Sequence, residues 1–284
     1  MTVPVLSAPL SGLVSGTAYA KINLALHLRR RRDDGYHELE TLFAFVDAGD
    51  AITIAPADAF ELIETGEFAA AMGPVADNLV TRAAVAACGT ADGALPPLRI
   101  HVDKRLPVAA GLGGGSADAG AVLRLLGVGA DRAQAIGEAL GADVPACVVS
   151  QPMVGRGTGT HLEPLADHDL LGAGCLLVNP RVPLSTGPVF KAWDQIDHGP
   201  LPQGSARDIL LNGRNDMEPP AIQLCPAIAD VLAALRATAP VCARMSGSGA
   251  TCFAIYDTPD AMAQAAAQIA AAHPGWWQMA GRLR

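Results

Sequence analysis

The segment Lys21-Ile-Asn-Leu-Ala-Leu-His-Leu28 alternates strictly, placing Ile22, Leu24, Leu26 and Leu28 on one side and Lys21, Asn23, Ala25 and His27 on the other. A period of two marks a strand whose faces meet different surroundings, so this segment predicts a strand with a polar side. Shorter apolar runs predict strands at Ile52 and Ile54, at Leu98, Ile100 and Val102, at 176–178 and at 252–256. Helical spacing takes over elsewhere. Ala119, Val122, Leu123 and Leu126 follow the i, i+3, i+4, i+7 rule, and Leu224, Ile228, Val231, Leu232 and Leu235 form a second stripe. Asp77 or Asn78 can cap a helix running to about Ala87. Thr258-Pro259 supplies a cap and a first-turn proline for an alanine-rich helix that stops at His273-Pro274-Gly275. Strands and helices mix without regular alternation, which predicts an α+β fold rather than a doubly wound sheet. Residues 155–174 carry five glycines and Pro164, the composition of a passage between domains. The expected boundary is near Leu171, giving domains 1–171 and 172–284.

Charge narrows the partners. A formal net charge of −8 argues against nucleic acid or an anionic membrane as the main partner, since either would be repelled. Any phosphate must therefore be held locally. The six cysteines form no closely spaced pair and no cluster with histidine, so they read as buried free thiols in a reducing compartment, with no metal site. The first ten residues are apolar but lack a basic leading region and contain Pro4 and Pro9, a poor export signal. No uninterrupted apolar stretch is long enough to span a membrane. A cytoplasmic protein is the expectation.

The loop Gly111-Leu-Gly-Gly-Gly-Ser-Ala-Asp118 opens the helix that ends near Leu126. First-turn N–H groups and the positive end of the helix dipole face whatever approaches such a loop, and glycines remove obstructing side chains. Phosphate is the natural guest, although a tight turn before a core helix would have the same composition. No Gly-Lys-Ser/Thr closes the loop, and Ser116 stands where a third dinucleotide-binding glycine would be, so neither common phosphate-loop pattern applies. Met245-Ser-Gly-Ser-Gly-Ala-Thr251 is a second small-residue loop, and two such loops favour an extended polyphosphate site.

Lys21, Lys104 and Lys191 are the only lysines among 20 basic residues. A chain that otherwise uses arginine keeps lysine where a compact ammonium is needed, and Lys21, beside Asn23, is the best candidate. The alternative is a lysine snorkelling to the surface. Asp143 lies in Leu140-Gly-Ala-Asp-Val-Pro145, where a glycine ends a helix and a proline fixes the exit. It can accept a proton from a hydroxyl or simply bond its own turn. Gly35-Tyr36-His37 places an aromatic ring beside an imidazole, a pair able to clamp a flat ring or to sit in a solvated loop.

Together Ala18-Tyr-Ala-Lys-Ile-Asn-Leu24, Asp34-Gly-Tyr-His37, residues 107–118, Gly141-Ala-Asp-Val-Pro145, Arg214-Asn-Asp-Met-Glu218 and Met245-Ser-Gly-Ser-Gly-Ala-Thr251 resemble the galactokinase, homoserine kinase, mevalonate kinase and phosphomevalonate kinase superfamily. The likeness is greatest to the branch that acts on methylerythritol linked to cytidine diphosphate. It implies an N-terminal domain like the second domain of ribosomal protein S5, a ferredoxin-like C-terminal domain, and an active site in the cleft between them. It implies phosphorylation of the substrate's 2-hydroxyl by ATP, with Mg2+ delivered on the nucleotide. Asp143 would be the base and Lys21 its electrostatic partner. Pro107, Val108, Ala109, Ala110, Gly111, Leu112, Gly113, Gly114, Gly115, Ser116 and Ala117 would hold ATP. Tyr36, His37 and Phe190 would hold the cytosine, with Asn23 and Thr186 beside the substrate. Two positions depart from the pattern. Ala117 replaces a common second serine, and Gly120 sits inside the helix at a propensity cost of roughly 1 kcal/mol against alanine.

Overall fold

A computed structural model describes residues 10, 12–88 and 94–284. Of the first ten residues, read above as a poor export signal, residues 1–9 lie outside those described. In chain order the elements are β1 (Val14–Arg31), β2 (His37–Pro56), β3 (Glu61–Thr65), α1 (Leu79–Cys88), β4 (Leu98–Asp103), α2 (Gly114–Leu125), α3 (Ala130–Leu140), α4 (Val144–Val149), β5 (Met153–Gly157) and β6 (His161–Pro164). They continue as β7 (Gly174–Asn179), α5 (Thr186–Lys191), α6 (Ala206–Asn212), α7 (Glu218–Leu224), α8 (Ala227–Ala237), β8 (Cys242–Met245), β9 (Cys252–Tyr256), α9 (Pro259–Ala272) and β10 (Trp277–Arg282).

The chain divides into two compact units that interleave in sequence. Unit 1 takes the described residues of Met1–Ala20, with Gly49–Val108 and Gly113–Ser150, and unit 2 takes Lys21–Ala48, Ala109–Leu112 and Gln151–Arg284. A single crossing near Leu171 was expected, but the last crossing lies at Ser150 and Gln151. The physical reason is strand length. β1 and β2 are long enough for each to serve both units, so the early chain cannot belong to one of them.

Unit 1 pairs β3 with β4 in parallel and β4 with residues 51–56 of β2 in antiparallel register. Its helices α1 and α4 both pack on α2, and Val80, Ala83, Ala84, Ala119, Val122, Leu123, Val144 and Cys147 on these three helices are buried. The α2 stripe is as expected, with Ala119, Val122 and Leu123 fully buried.

In unit 2 the N-terminal half of β2 pairs with β5, and β5 with β6, all antiparallel. A second sheet has the order β10-β7-β9-β8 with every pair antiparallel. Strand β7, the intervening helices, β8, β9, α9 and β10 together run β-α-β-β-α-β, the ferredoxin-like arrangement. Thr258 caps α9 as expected, its hydroxyl accepting from the Ala261 N–H at 3.2 Å. The stripe from Leu224 to Leu235 is divided instead: Leu224 ends α7 and is 47% exposed, because Pro226 cannot continue that helix, and α8 restarts behind it with Ile228, Val231, Leu232 and Leu235 buried. The cysteines are free thiols, four of them buried, whereas Cys88 and Cys242 are only partly covered. Among the described residues, no helix is long and apolar enough to cross a membrane.

Candidate active site

In unit 2 the polar side of β1 is not a solvent face. Lys21, Asn23 and His27 are 4%, 3% and 0% exposed, which excludes the snorkelling alternative for Lys21. A buried ammonium must be paired or bonded to remain charged. Lys21 Nζ donates to Asn23 Oδ1 at 3.1 Å and stands 5.1 Å over the Phe43 ring. The Asn23 amide in turn donates to Thr41 Oγ1 at 2.8 Å, which fixes which end of the amide faces the lysine.

The two small-residue loops meet at the same strand. Ser246 Oγ donates to the Gly111 carbonyl at 2.7 Å and accepts from the Asn23 N–H at 3.2 Å, while the Lys21 N–H donates to the Leu112 carbonyl at 3.1 Å. Gly111 has φ +76°, and a Cβ there would stand 2.2 Å from the Ser246 carbonyl oxygen, so only glycine fits. Thr186 joins this group through Ser248, oxygen to oxygen at 2.9 Å.

Reading the sequence alone missed the support beneath these loops. Asn215 donates to the carbonyls of Met245 and Gly247, both at 2.8 Å, and Glu218 accepts from the Met245 N–H at 2.9 Å. Both belong to the quoted run from Arg214 to Glu218, but no local pattern tells which loop they brace.

His37 stacks on Phe190 with ring centroids 4.6 Å apart, and Trp193 meets the imidazole edge-on at 5.7 Å. Rings pack with centroids about 4.5–7 Å apart, so no third ring fits between His37 and Phe190. The pair forms a platform, and the Tyr36 side chain is 66% exposed. Trp193, 4% exposed, is the ring that sequence reasoning overlooked. Burial and the nearby Arg31 charge hold the His37 imidazole below the usual histidine range.

In unit 1, α2 begins at Gly114 behind Gly113, whose left-handed backbone (φ +60°) supplies no side-chain cap. First-turn N–H groups are therefore left for another acceptor. Ala117, where a second serine is common, is buried at 2% exposure. Asp143 occupies the N-cap position of α4 without a capping bond from its side chain, and Pro145 stands in the first turn of that helix instead of ending the segment. Helices α2 and α4 are locked together: Arg124 on α2 donates to the Cys147 carbonyl and, at 2.9 Å, to Ser150 Oγ. The helix that follows the glycine loop and the helix capped by Asp143 are thus joined by these bonds. Among the described residues, no group of three His, Cys, Asp or Glu side chains could hold a metal ion.

Comparison with known proteins gives this arrangement a class. Residues 78–151 match the family model described as GHMP kinases N terminal domain, and residues 203–275 match GHMP kinases C terminal. These are ATP-dependent phosphotransferases. A 4-diphosphocytidyl-2-C-methyl-D-erythritol kinase of Erythrobacter litoralis is 55% identical, over 96% of this chain and 100% of that protein. A protein of the same name from Novosphingobium aromaticivorans is 56% identical, over 94% of this chain and 92% of its own length. A crystal structure of 4-(cytidine 5'-diphospho)-2C-methyl-D-erythritol kinase aligns at TM-score 0.78 and 33% identity, covering 95% of this chain and 99% of that one. The chain belongs to the family of 4-diphosphocytidyl-2-C-methyl-D-erythritol kinases.

Proposed function

We propose that this protein transfers the γ-phosphoryl group of ATP to the 2-hydroxyl of 4-diphosphocytidyl-2-C-methyl-D-erythritol, giving the 2-phosphate and ADP, a step of the non-mevalonate route to isoprenoid precursors. The observation that carries the reading is a buried ammonium, Lys21, hydrogen-bonded to Asn23 on a strand that also anchors both small-residue loops. Phosphoryl transfer asks little covalent chemistry of a protein. Positioning and charge stabilisation do most of the work.

In the proposed step the substrate oxygen bonds to the γ-phosphorus while the bond from that phosphorus to the ADP oxygen breaks. Asp143 receives the hydroxyl proton, and Lys21 stabilises the charge that develops. Residues 107–117 hold the triphosphate, with backbone N–H groups as donors. Magnesium takes oxygen ligands, keeps several waters and is commonly held through substrate phosphates, so ATP would bring it and it would screen phosphate charge. His37 and Phe190 present a flat apolar face for cytosine, with Tyr36 at its exposed margin, and Asn23 and Thr186 flank the substrate.

The test offers the cytidylated methylerythritol beside mevalonate and homoserine in one reaction with ATP. Phosphorylation of the first at its 2-hydroxyl is the expected product. Phosphorylation of either competitor, with the first left intact, overturns the substrate assignment.

A further inference from the structure

Three charged side chains lie wholly inside unit 1, outside every role assigned above. Lys104, just after β4, is 2% exposed. Its Nζ donates to Asp50 Oδ2 on β2 at 2.5 Å and to Asp118 Oδ2 on α2 at 2.6 Å. Asp50 is fully engaged, since its Oδ1 also accepts from the N–H groups of Arg105 and Leu106 at 2.6 and 2.8 Å. Asp118 is not. Its Oδ1 is buried and has no hydrogen-bond partner. A Cβ at Gly114 would stand 3.1 Å from Lys104 Nζ, so the ammonium lies against the first residue of α2.

Buried ion pairs seldom stabilise more than well-packed apolar residues of the same volume, and an extra carboxylate adds a desolvation cost. Stability alone does not account for a triad here. With both carboxylates ionised the triad carries one negative charge, beside the end of α2 whose N–H groups would face a bound anion. That charge opposes phosphate. With one proton retained on Asp118 the triad is neutral, and the dipole's positive end acts unopposed.

We propose that Lys104 is a positioning residue for nucleotide binding: through Asp50 and Asp118 it fixes the first turns of α2 to the sheet, and the triad serves the phosphate cradle in its neutral, singly protonated form. This rests on the reading of residues 111–116 as that cradle. Burial pushes the Asp118 carboxyl up to about 7, in keeping with a retained proton. The charged groups acting on Asp118 are Lys104 and Asp50. The buried residues of α1, α3 and α4, packed around α2, are uncharged.

The experiment measures ADP binding with magnesium by calorimetry from about pH 6 to about pH 8.5. Asp118→Asn is the isostere of the protonated acid, and comparing it with the wild type at each pH cancels the nucleotide's own titration. The wild-type Kd divided by that of Asp118→Asn should rise about tenfold across the range. A flat ratio overturns the neutral-triad claim. Lys104→Met made together with Asp50→Asn removes one buried charge of each sign, so the group stays neutral while Asp118 keeps its proton, and an amide oxygen at position 50 can still accept from the two backbone donors. It should weaken ADP about tenfold and raise KM for ATP in parallel, with kcat within about twofold and KM for the alcohol unchanged. Unchanged ADP affinity in this double variant, at a retained melting temperature, overturns the positioning role. Should the double variant fail to fold, the Asp118→Asn comparison still decides the neutral-triad claim. Failure of the wild type itself to bind ADP would overturn the cradle reading, which is a different outcome from intact wild-type binding that the variants leave unmoved.

Discussion

A methyl carbon at Gly120 would stand 2.7 Å from both the carbonyl carbon and the carbonyl oxygen of Cys147, so α2 and α4 meet backbone to backbone at that point. Gly120→Ala should therefore cost about 2–3 kcal/mol despite alanine's better helix propensity, read as a lowered midpoint in thermal denaturation. A raised midpoint would show that the contact can relax. Asp118 makes a second prediction. Its folded-state value of about 7 lies above the ordinary 3.8, so the folded protein holds this proton more tightly than the unfolded chain. Its contribution to stability is complete below about pH 4 and is lost as pH rises to about 7. Asp118→Asn should remove that fall, measured as denaturant midpoints at pH 5 and pH 8. Sequence showed Gly120 only as a propensity cost, because the atoms that demand glycine belong to residue 147. It marked lysine scarcity more usefully. Two of the three lysines, Lys21 and Lys104, are buried and bonded, and Lys191 is exposed.

At the scale of elements, alternation in 21–28 located β1 but not its setting. Alternation reports two different faces, and here the polar face is buried too, through hydrogen bonds that reach residues 41 and 246. Helix α2 was legible almost to its ends because its apolar stripe and its glycine start agree. The division between α7 and α8 was not, since one apolar stripe ran across Pro226. The loop before α2 yields a test of function: Gly113→Val puts a β-branched side chain at φ +60° and should weaken ATP affinity by at least about tenfold. Unchanged affinity in calorimetry would count against the loop. The platform of His37, Phe190 and Trp193 makes a pH prediction. Its desolvated imidazole titrates below the usual 6.5, so it stays neutral through neutral pH and charges only in more acid solution. KM for the cytidylated substrate should be flat near neutrality and rise on acidification, more steeply than in His37→Phe. Parallel profiles would remove His37 from the substrate's recognition.

At the scale of the whole molecule, the mixed α+β class and the resemblance to the GHMP kinases were readable from ordered motifs along nearly the full chain. The division into units was not. It depends on two long strands each serving both, a fact of pairing rather than composition. The aromatic platform escaped for a similar reason, since Trp193 lies far from Tyr36 and His37 in sequence. The central functional claim is that the acid–base work belongs to Asp143 and the holding of nucleotide to the loops. Single-turnover transfer from labelled ATP to 4-diphosphocytidyl-2-C-methyl-D-erythritol, with ATP affinity measured on the same samples, tests it most directly. For Asp143→Asn the account expects transfer slowed about 10³-fold with ATP affinity within about twofold of wild type. Transfer at a near-normal rate in that variant would contradict it.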